Sequence, residues 1–263
     1  MEKPRLGVFK FSSCDGCQLS LLDCERELLD IAGAVDIAYF AEAMTAEDTG
    51  RYDVALVEGS VTTEGEALHI HDIRSRSEVL VTIGACATAG GIQALKNGGN
   101  AAPFLKMVYP APAWIETLET ATPISDHVRV DHELRGCPIS KHQLVELIAA
   151  LLAGRRPQTE PHATCLECKL AGHVCVMVAE GKPCLGPVTH AGCGALCPGY
   201  ARGCYGCFGP KETANTASLT AWFADLGQSP DQIARAFSTF NNNAPEFRAE
   251  TQAQRHDRTH DQG

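Results

Sequence analysis

The sequence has no run of eighteen apolar residues, so nothing in it reads as a transmembrane helix. Its opening stretch, MEKPRLGVFKFSSCDGC, lacks a charged-then-apolar leader with a small-residue cleavage site, and lacks a twin-arginine signal. An excess of positive charge is missing too: 22 Lys and Arg stand against 32 Asp and Glu, a formal net charge of −10. That balance argues against nucleic-acid binding on a basic face. An aromatic content of 6% argues against stacking platforms for single strands. HExxH, P-loop and GxGxxG motifs are absent, which speaks against nucleotide binding by this chain, and there is no repeat of solenoid length. The expected compartment is the cytoplasm. What is present is ordinary in bulk: 263 residues, 44% hydrophobic and 21% charged, suit one large globular domain or two modest ones. Thirteen cysteines are the exception. Structural disulfides are rare in a reducing compartment, so thiols in this number point to metal.

The first part of the chain alternates short apolar runs with helical patterns. Strands are expected at Leu6–Phe11, Val35–Phe40, Val54–Val57, Val79–Ile83 and Val128–Val130. Most are continuous rather than alternating, as strands buried on both faces are. Helices are expected over Cys17–Asp30, where Leu19, Leu22 and Leu29 recur at helical spacing, and near Glu64–Ser75 and Ala87–Lys96. A further helix, Ser140–Leu152, has Ser140 as its N-cap and Gly154 as its stop. Alternation of this kind implies an α/β fold with a parallel sheet, whose functional groups lie beyond the carboxyl ends of its strands. A polar, proline-containing stretch over 155–164 marks a boundary. Expected units are therefore 1–153, a small irregular domain over 154–240, and a polar, frayed tail over 241–263. Two helices, Glu212–Leu226 and Pro230–Phe240, belong to the second, the latter capped by Ser229.

The cysteines fall into two populations. Cys14 and Cys17 form a C-x-x-C after the first strand, Cys86 follows the fourth, and Cys137 follows the last in Gly136-Cys137-Pro138. A parallel sheet brings strand ends together, so these four thiols match the ligand set of a [4Fe–4S] cluster. A thioredoxin-like pair with two buried cysteines is the plainer alternative. The second population runs Cys165-x2-Cys168-x6-Cys175-x8-Cys184, then Cys193-x3-Cys197-x6-Cys204-x2-Cys207. Eight thiols make two tetrathiolate sites. Structural zinc uses the same C-x2-C knuckles, but Cys197 is followed by proline, as a ferredoxin ligand is. Local grouping of the eight and an exchange of one ligand between the groups both remain open. Cys24 reads as a buried thiol. Glu58, after the apolar run Val54–Val57, reads as a proton relay or partner contact, or as a cap on the helix starting near Glu64.

These motifs together resemble the small, electron-transferring subunit of cytoplasmic nickel–iron hydrogenases, the group of the sulfhydrogenase delta and NADP-linked bidirectional enzymes. The resemblance rests on Cys14-Asp15-Gly16-Cys17, Val57-Glu58-Gly59-Ser60, Gly84-Ala85-Cys86-Ala87, Gly136-Cys137-Pro138 and the eight-cysteine segment, and covers about residues 5–210. It implies a flavodoxin-like domain whose Cys14, Cys17, Cys86 and Cys137 hold a proximal [4Fe–4S] cluster against a nickel–iron large subunit. The eight later cysteines then match the ligands of two more clusters, three [4Fe–4S] clusters in all. The electrons of H2 ⇌ 2H+ + 2e− would pass to flavin and iron–sulfur acceptor subunits linked to NAD(P) or sulfur, with no catalysis by this chain alone. A serine and a glutamate follow the second cysteine in periplasmic relatives; here Gln18 and Leu19 stand there. An iron–sulfur relay in a non-hydrogenase complex shares every ligand, and a zinc-stapled adaptor is the reading from another class.

Overall fold

The computed structural model describes residues 3–45, 48–159 and 161–260. The chain divides into two compact units, Met1–Leu134 and Arg135–Gly263. In the first, β1 (Arg5–Lys10) leads through α1 (Gly16–Leu22) and α2 (Glu25–Ala34) to β2 (Asp36–Phe40). Next, β3 (Tyr52–Glu58) leads through α3 (Glu64–Arg76) to β4 (Ser77–Ile83). Then α4 (Gly84–Ala89), a 3-10 segment over Ile92–Gly98 and α5 (Ala102–Val108) precede β5 (His132–Leu134). All neighbouring strands pair in parallel in the order β2-β1-β3-β4-β5. That 2-1-3-4-5 order is the flavodoxin-like doubly wound arrangement. Continuous apolar runs form the central strands because both faces are covered: Val8, Phe9, Ala55, Leu56, Val57, Leu80 and Val81 are all fully buried. On one face Phe9, Phe11, Tyr52, Ile70, Ile73 and Ile124 make a contiguous core. Helix α3 begins with a capping box, Thr63 accepting from the Glu66 N–H while Glu66 reaches back.

Several expected elements differ. The single helix over Cys17–Asp30 is two, since α1 closes at Asp23 and Cys24 caps α2. Leu19 and Leu29, which recur at helical spacing, are exposed, whereas Leu21 and Ile31 are buried. Cys24 is buried as expected, its thiol donating to the Ser20 carbonyl. The helix expected over Ala87–Lys96 begins earlier and stops at Gly90, which takes a left-handed φ of 77°. Val128–Val130 is not a strand. The edge strand is His132–Leu134, paired to Val81–Ile83, while Val128 and Val130 pack against the core without joining the ladder.

The second unit holds α6 (Lys141–Leu152), α7 (Thr164–Leu170), α8 (Val176–Glu180), α9 (Leu196–Gly199), α10 (Thr216–Asp225), α11 (Pro230–Phe237) and α12 (Pro245–His260). The division between the two units falls ahead of α6. Physically, Gln143 of α6 donates to the Ala191 carbonyl inside the cysteine-rich segment. Ser229 caps α11 through a capping box with Gln232. Where a frayed tail from Asn241 was expected, α12 is helical instead. Phe247 is its anchor, buried edge-on to Phe237 at 5.5 Å, with Phe223 on the other side of Phe237. No helix among the described residues is long and apolar enough to cross a membrane.

Candidate metal centres

In the first unit the parallel register aligns strand ends: Lys10 of β1 pairs with Glu58 of β3, and Glu58 with Ile83 of β4. Cys14 and Cys17 follow β1, and Cys86 sits in the first turn of α4 directly after β4. Three cysteines from two distant stretches thus stand beyond one edge of the sheet, Cys17 buried, Cys86 half-buried and Cys14 exposed.

Helix α1 opens without help from its own cap. Asp15 has a left-handed φ of 67° and makes no side-chain cap bond; its carboxylate instead meets Lys10 Nζ at 2.9 Å, which also reaches Glu42 at 2.7 Å. Hydrogen bonds to Glu42 and Asp15 push the Lys10 pKa up. The N–H groups that Asp15 leaves are taken by Glu58, whose two carboxylate oxygens accept from Cys17 N–H at 3.0 Å and Gln18 N–H at 3.3 Å. Glu58 is 1% exposed, and each such charge-assisted bond is worth about 1.5–3 kcal/mol, reinforced by the positive end of the helix dipole. The expectation that Glu58 caps the helix near Glu64 is therefore corrected: Thr63 caps that helix, and Glu58 caps the one bearing Cys17. Gly59 takes φ 98°, and a Cβ there would lie 2.5 Å from the Phe11 carbonyl carbon. Only glycine lets β3 leave the sheet against β1 at this point. Likewise Gly91, at φ 62°, would place a Cβ 2.5 Å from Cys86 Sγ, so its identity keeps the space beside that thiol open.

In the second unit, burial raises the Cys168 pKa, assisted by Cys165, Cys184 and Cys175 around it. These four thiols line one cavity of about 50 Å³, walled otherwise by Val176, Met177, Pro187 and Pro198 among others. Backbone groups converge on the sulfurs. Cys204 N–H donates to Cys184 Sγ at 3.2 Å and Gly206 N–H to Cys204 Sγ at 3.4 Å, while the N–H groups of Leu196 and Ala195 serve Cys193. Burial pushes the Cys207 thiol up to about 12, with Cys193, Cys137 and Cys197 adding to the shift, and the backbone of Cys137 hydrogen-bonds to it. Cys204, also raised by burial, interacts with both Cys184 and Cys207.

These surroundings suit thiolate-bound iron–sulfur clusters. The first four-thiol cavity is largely apolar, the sulfurs accept backbone N–H bonds of the kind that tune clusters, and Gln18, buried beside Cys17, has an amide donor and acceptor free among the described residues. Among those residues no three His, Cys, Asp or Glu groups are drawn in to one point as ligands of a single ion. Reading the sequence alone missed two polar residues here. Glu167, between Cys165 and Cys168, accepts from the N–H groups of Gly192 and Gly194 at 3.0 and 3.3 Å, tying the Cys193 loop to α7. Gln18 is the other. Their signal was a polar residue inside or directly after a C-x-x-C that the structure buries at one or both oxygens.

Comparison with known proteins places this site in context. Residues 14–151 match the family described as NADH ubiquinone oxidoreductase, 20 kDa subunit. The chain is 36% identical over 246 residues to the sulfhydrogenase 2 subunit delta of Pyrococcus furiosus, covering 90% of this chain and 98% of that one. It is 30% identical over 271 residues to a subunit of the F420-non-reducing vhu hydrogenase of Methanococcus voltae, covering 91% and 94%. Among solved structures, a chain of an NAD+-reducing [NiFe]-hydrogenase in the H2-reduced state superposes with a TM-score of 0.55 and 29% identity. It covers 60% of this chain and 95% of that one.

Proposed function

The chain belongs to the 20 kDa subunit family of NADH ubiquinone oxidoreductases, among its hydrogenase small subunits, and from that premise we propose the course electrons take through it. Its coarse role is that of an iron–sulfur, electron-transferring subunit of an oxidoreductase acting on H2. The finer reading is three [4Fe–4S] clusters held by Cys14, Cys17, Cys86 and Cys137, by Cys165, Cys168, Cys175 and Cys184, and by Cys193, Cys197, Cys204 and Cys207. When bound, such clusters pass electrons one at a time.

One observation carries this: within the second unit the thiols follow one another in space as Cys137, Cys207, Cys204 and Cys184. Cys137 adjoins the last cysteine group in the sequence, and that group adjoins the earlier one. The set containing Cys207 is then the middle station and the set containing Cys184 the terminal one, opposite to their order in the chain. The chain's own residues position and insulate. Glu58 fixes the start of α1, Glu167 fixes the Cys193 loop, and backbone N–H groups offset the charge of the thiolates. Raised pKa values keep the buried thiols of the metal-free chain protonated, so iron insertion must release those protons.

A nickel–iron large subunit is the proposed donor of electrons and a flavin-bearing NAD(P) module the proposed acceptor, with the complex residing in the cytoplasm. Exposed apolar side chains around α5, including Phe104, Met107, Val108 and Trp114, supply a surface suited to an obligate partner. Metal and acid-labile sulfide analysis of the purified complex tests the reading. About twelve irons with matching sulfide per chain are expected, and zinc without sulfide would overturn it.

A further inference from the structure

Glu167 lies between Cys165 and Cys168 on α7, yet its side chain serves the other cysteine group of the second unit. One carboxylate oxygen accepts from the N–H groups of Gly192 and Gly194 at 3.0 and 3.3 Å, the two amides that flank Cys193. The second oxygen is buried, and among the described residues neither a hydrogen-bond donor nor a cation meets it. The residues lining the cavity of Cys165, Cys168, Cys175 and Cys184 do not include Glu167. Beyond burial, the charges that weigh on Cys168 are those of the other three thiols and of Lys169. Burial raises the Cys193 pKa as well, and there the Glu167 carboxylate adds to the rise. The Cys193 sulfur takes its own backbone donors from further along the loop, at Leu196 and Ala195. One carboxylate is thus carried by one cysteine group and aimed at the other.

We propose that Glu167 lowers the reduction potential of the cluster bound through Cys193 and leaves that of the cluster on its own helix nearly unmoved. The inference rests on the relay reading above and names what holds the potential of its middle station down. Two effects of the same sign support it. A carboxylate disfavours the arrival of an electron beside it, and more strongly where burial removes the water that would screen it. The same carboxylate also engages the two N–H groups on either side of Cys193. Donors turned to a sulfur stabilise the more negative, reduced cluster, and these two are held away from it. A middle station poised above its neighbours would retain electrons, whereas a lowered one passes each on, one at a time, with no bond made or broken.

The test is a redox titration of the whole hydrogenase complex, followed by electron paramagnetic resonance, in wild type and Glu167→Gln. Glutamine keeps an acceptor oxygen for both glycine N–H groups and removes the charge. One cluster signal should move upward by about 59 mV, a tenfold change in a one-electron equilibrium. The signal that moves should be the one lost in Cys193→Ser and not the one lost in Cys168→Ser. Iron, acid-labile sulfide and the hydrogen exchange of the Gly192 and Gly194 amides should match wild type in the glutamine variant. An unmoved potential in a sulfide-replete glutamine variant, or a shift confined to the signal lost in Cys168→Ser, would overturn the proposal alone. Loss of sulfide or faster exchange at the two glycines would make Glu167 a structural tie and overturn it too. A wild-type complex without acid-labile sulfide would overturn the relay reading and this inference with it.

Discussion

The two units of this chain reach a fixed structure by different means. The first is organised by backbone pairing: five parallel strands in register, a contiguous apolar core, and functional residues that inherit their placement from the strand ends. The second has no named strand among its described residues, and its helices α7, α8 and α9 are seven, five and four residues long, too short to persist on their own. Around them, order comes from loop carbonyls, sulfurs and buried thiols. The lesson is that the same residue type plays two parts. Cysteine is a passenger on the sheet and a structural member of the loop segment.

Metal removal should break this comparison most visibly. Stripping iron anaerobically from the complex is expected to abolish hydrogen-exchange protection over residues 164–210 while amides of β1, β3 and β4 stay protected. Equal loss in both units would show that the sheet depends on metal as much as the loops do. Ligand replacement comes next. Replacing a neighbouring group of a metal site typically costs 10–100-fold in affinity or activity, so Cys207→Ser, which removes a proposed ligand, should lower H2-dependent acceptor reduction by at least ~100-fold. Cys24→Ser, outside every proposed ligand set, should leave the rate within about twofold.

Legibility in the sequence followed the same division. Strands β1, β3 and β4 stood out because burial on both faces writes a continuous apolar run. The edge strand β5 did not, since His132–Leu134 has one buried residue and the nearby Val128 and Val130 imitate a strand while only packing on the core. Helix α12 escaped because its surface is polar and its anchorage reduces to Phe247 with Glu250 and Thr251 beside it. In the candidate site the spacing of the cysteines was legible, but the role of Glu58 was not: its partners lie 41 and 40 residues away in sequence. Only the register of β1 on β3 creates that contact.

Smaller effects sharpen the picture within the first unit. Glu58→Ala leaves two buried N–H groups without an acceptor and should destabilise the protein by about 2–3 kcal/mol, read as a lowered Tm, with Glu58→Gln costing less. The magnetic spectrum of the cluster proposed beside Cys17 should broaden in the alanine variant; an unaltered Tm and spectrum would show that Asp15 or water substitutes. The smallest effect is pH-dependent. Against the upward push of burial, Arg76 and Tyr52 hold Asp48 below the usual carboxylate range, and the Leu80 N–H and Arg74 do the same for Asp131. With depressed folded-state values, their stabilisation is complete above the ordinary carboxylate pKa near ~4 and is lost as pH falls through the lowered ones. Asp48→Asn should flatten the acid limb of a urea-melt profile of the complex and leave its neutral plateau lower.

One consequence of the spatial order of the thiols concerns how such a chain can be trimmed. In the proposed relay the cysteines that come last along the polypeptide stand between Cys137 and those that come earlier, so truncation from the C-terminal side would sever it at its centre and strand its outer end. On that proposal a shortened relative would keep either the whole relay or its first station alone. The solved NAD+-reducing chain, matched over 95% of its own length by only 60% of this one, is of the shorter size.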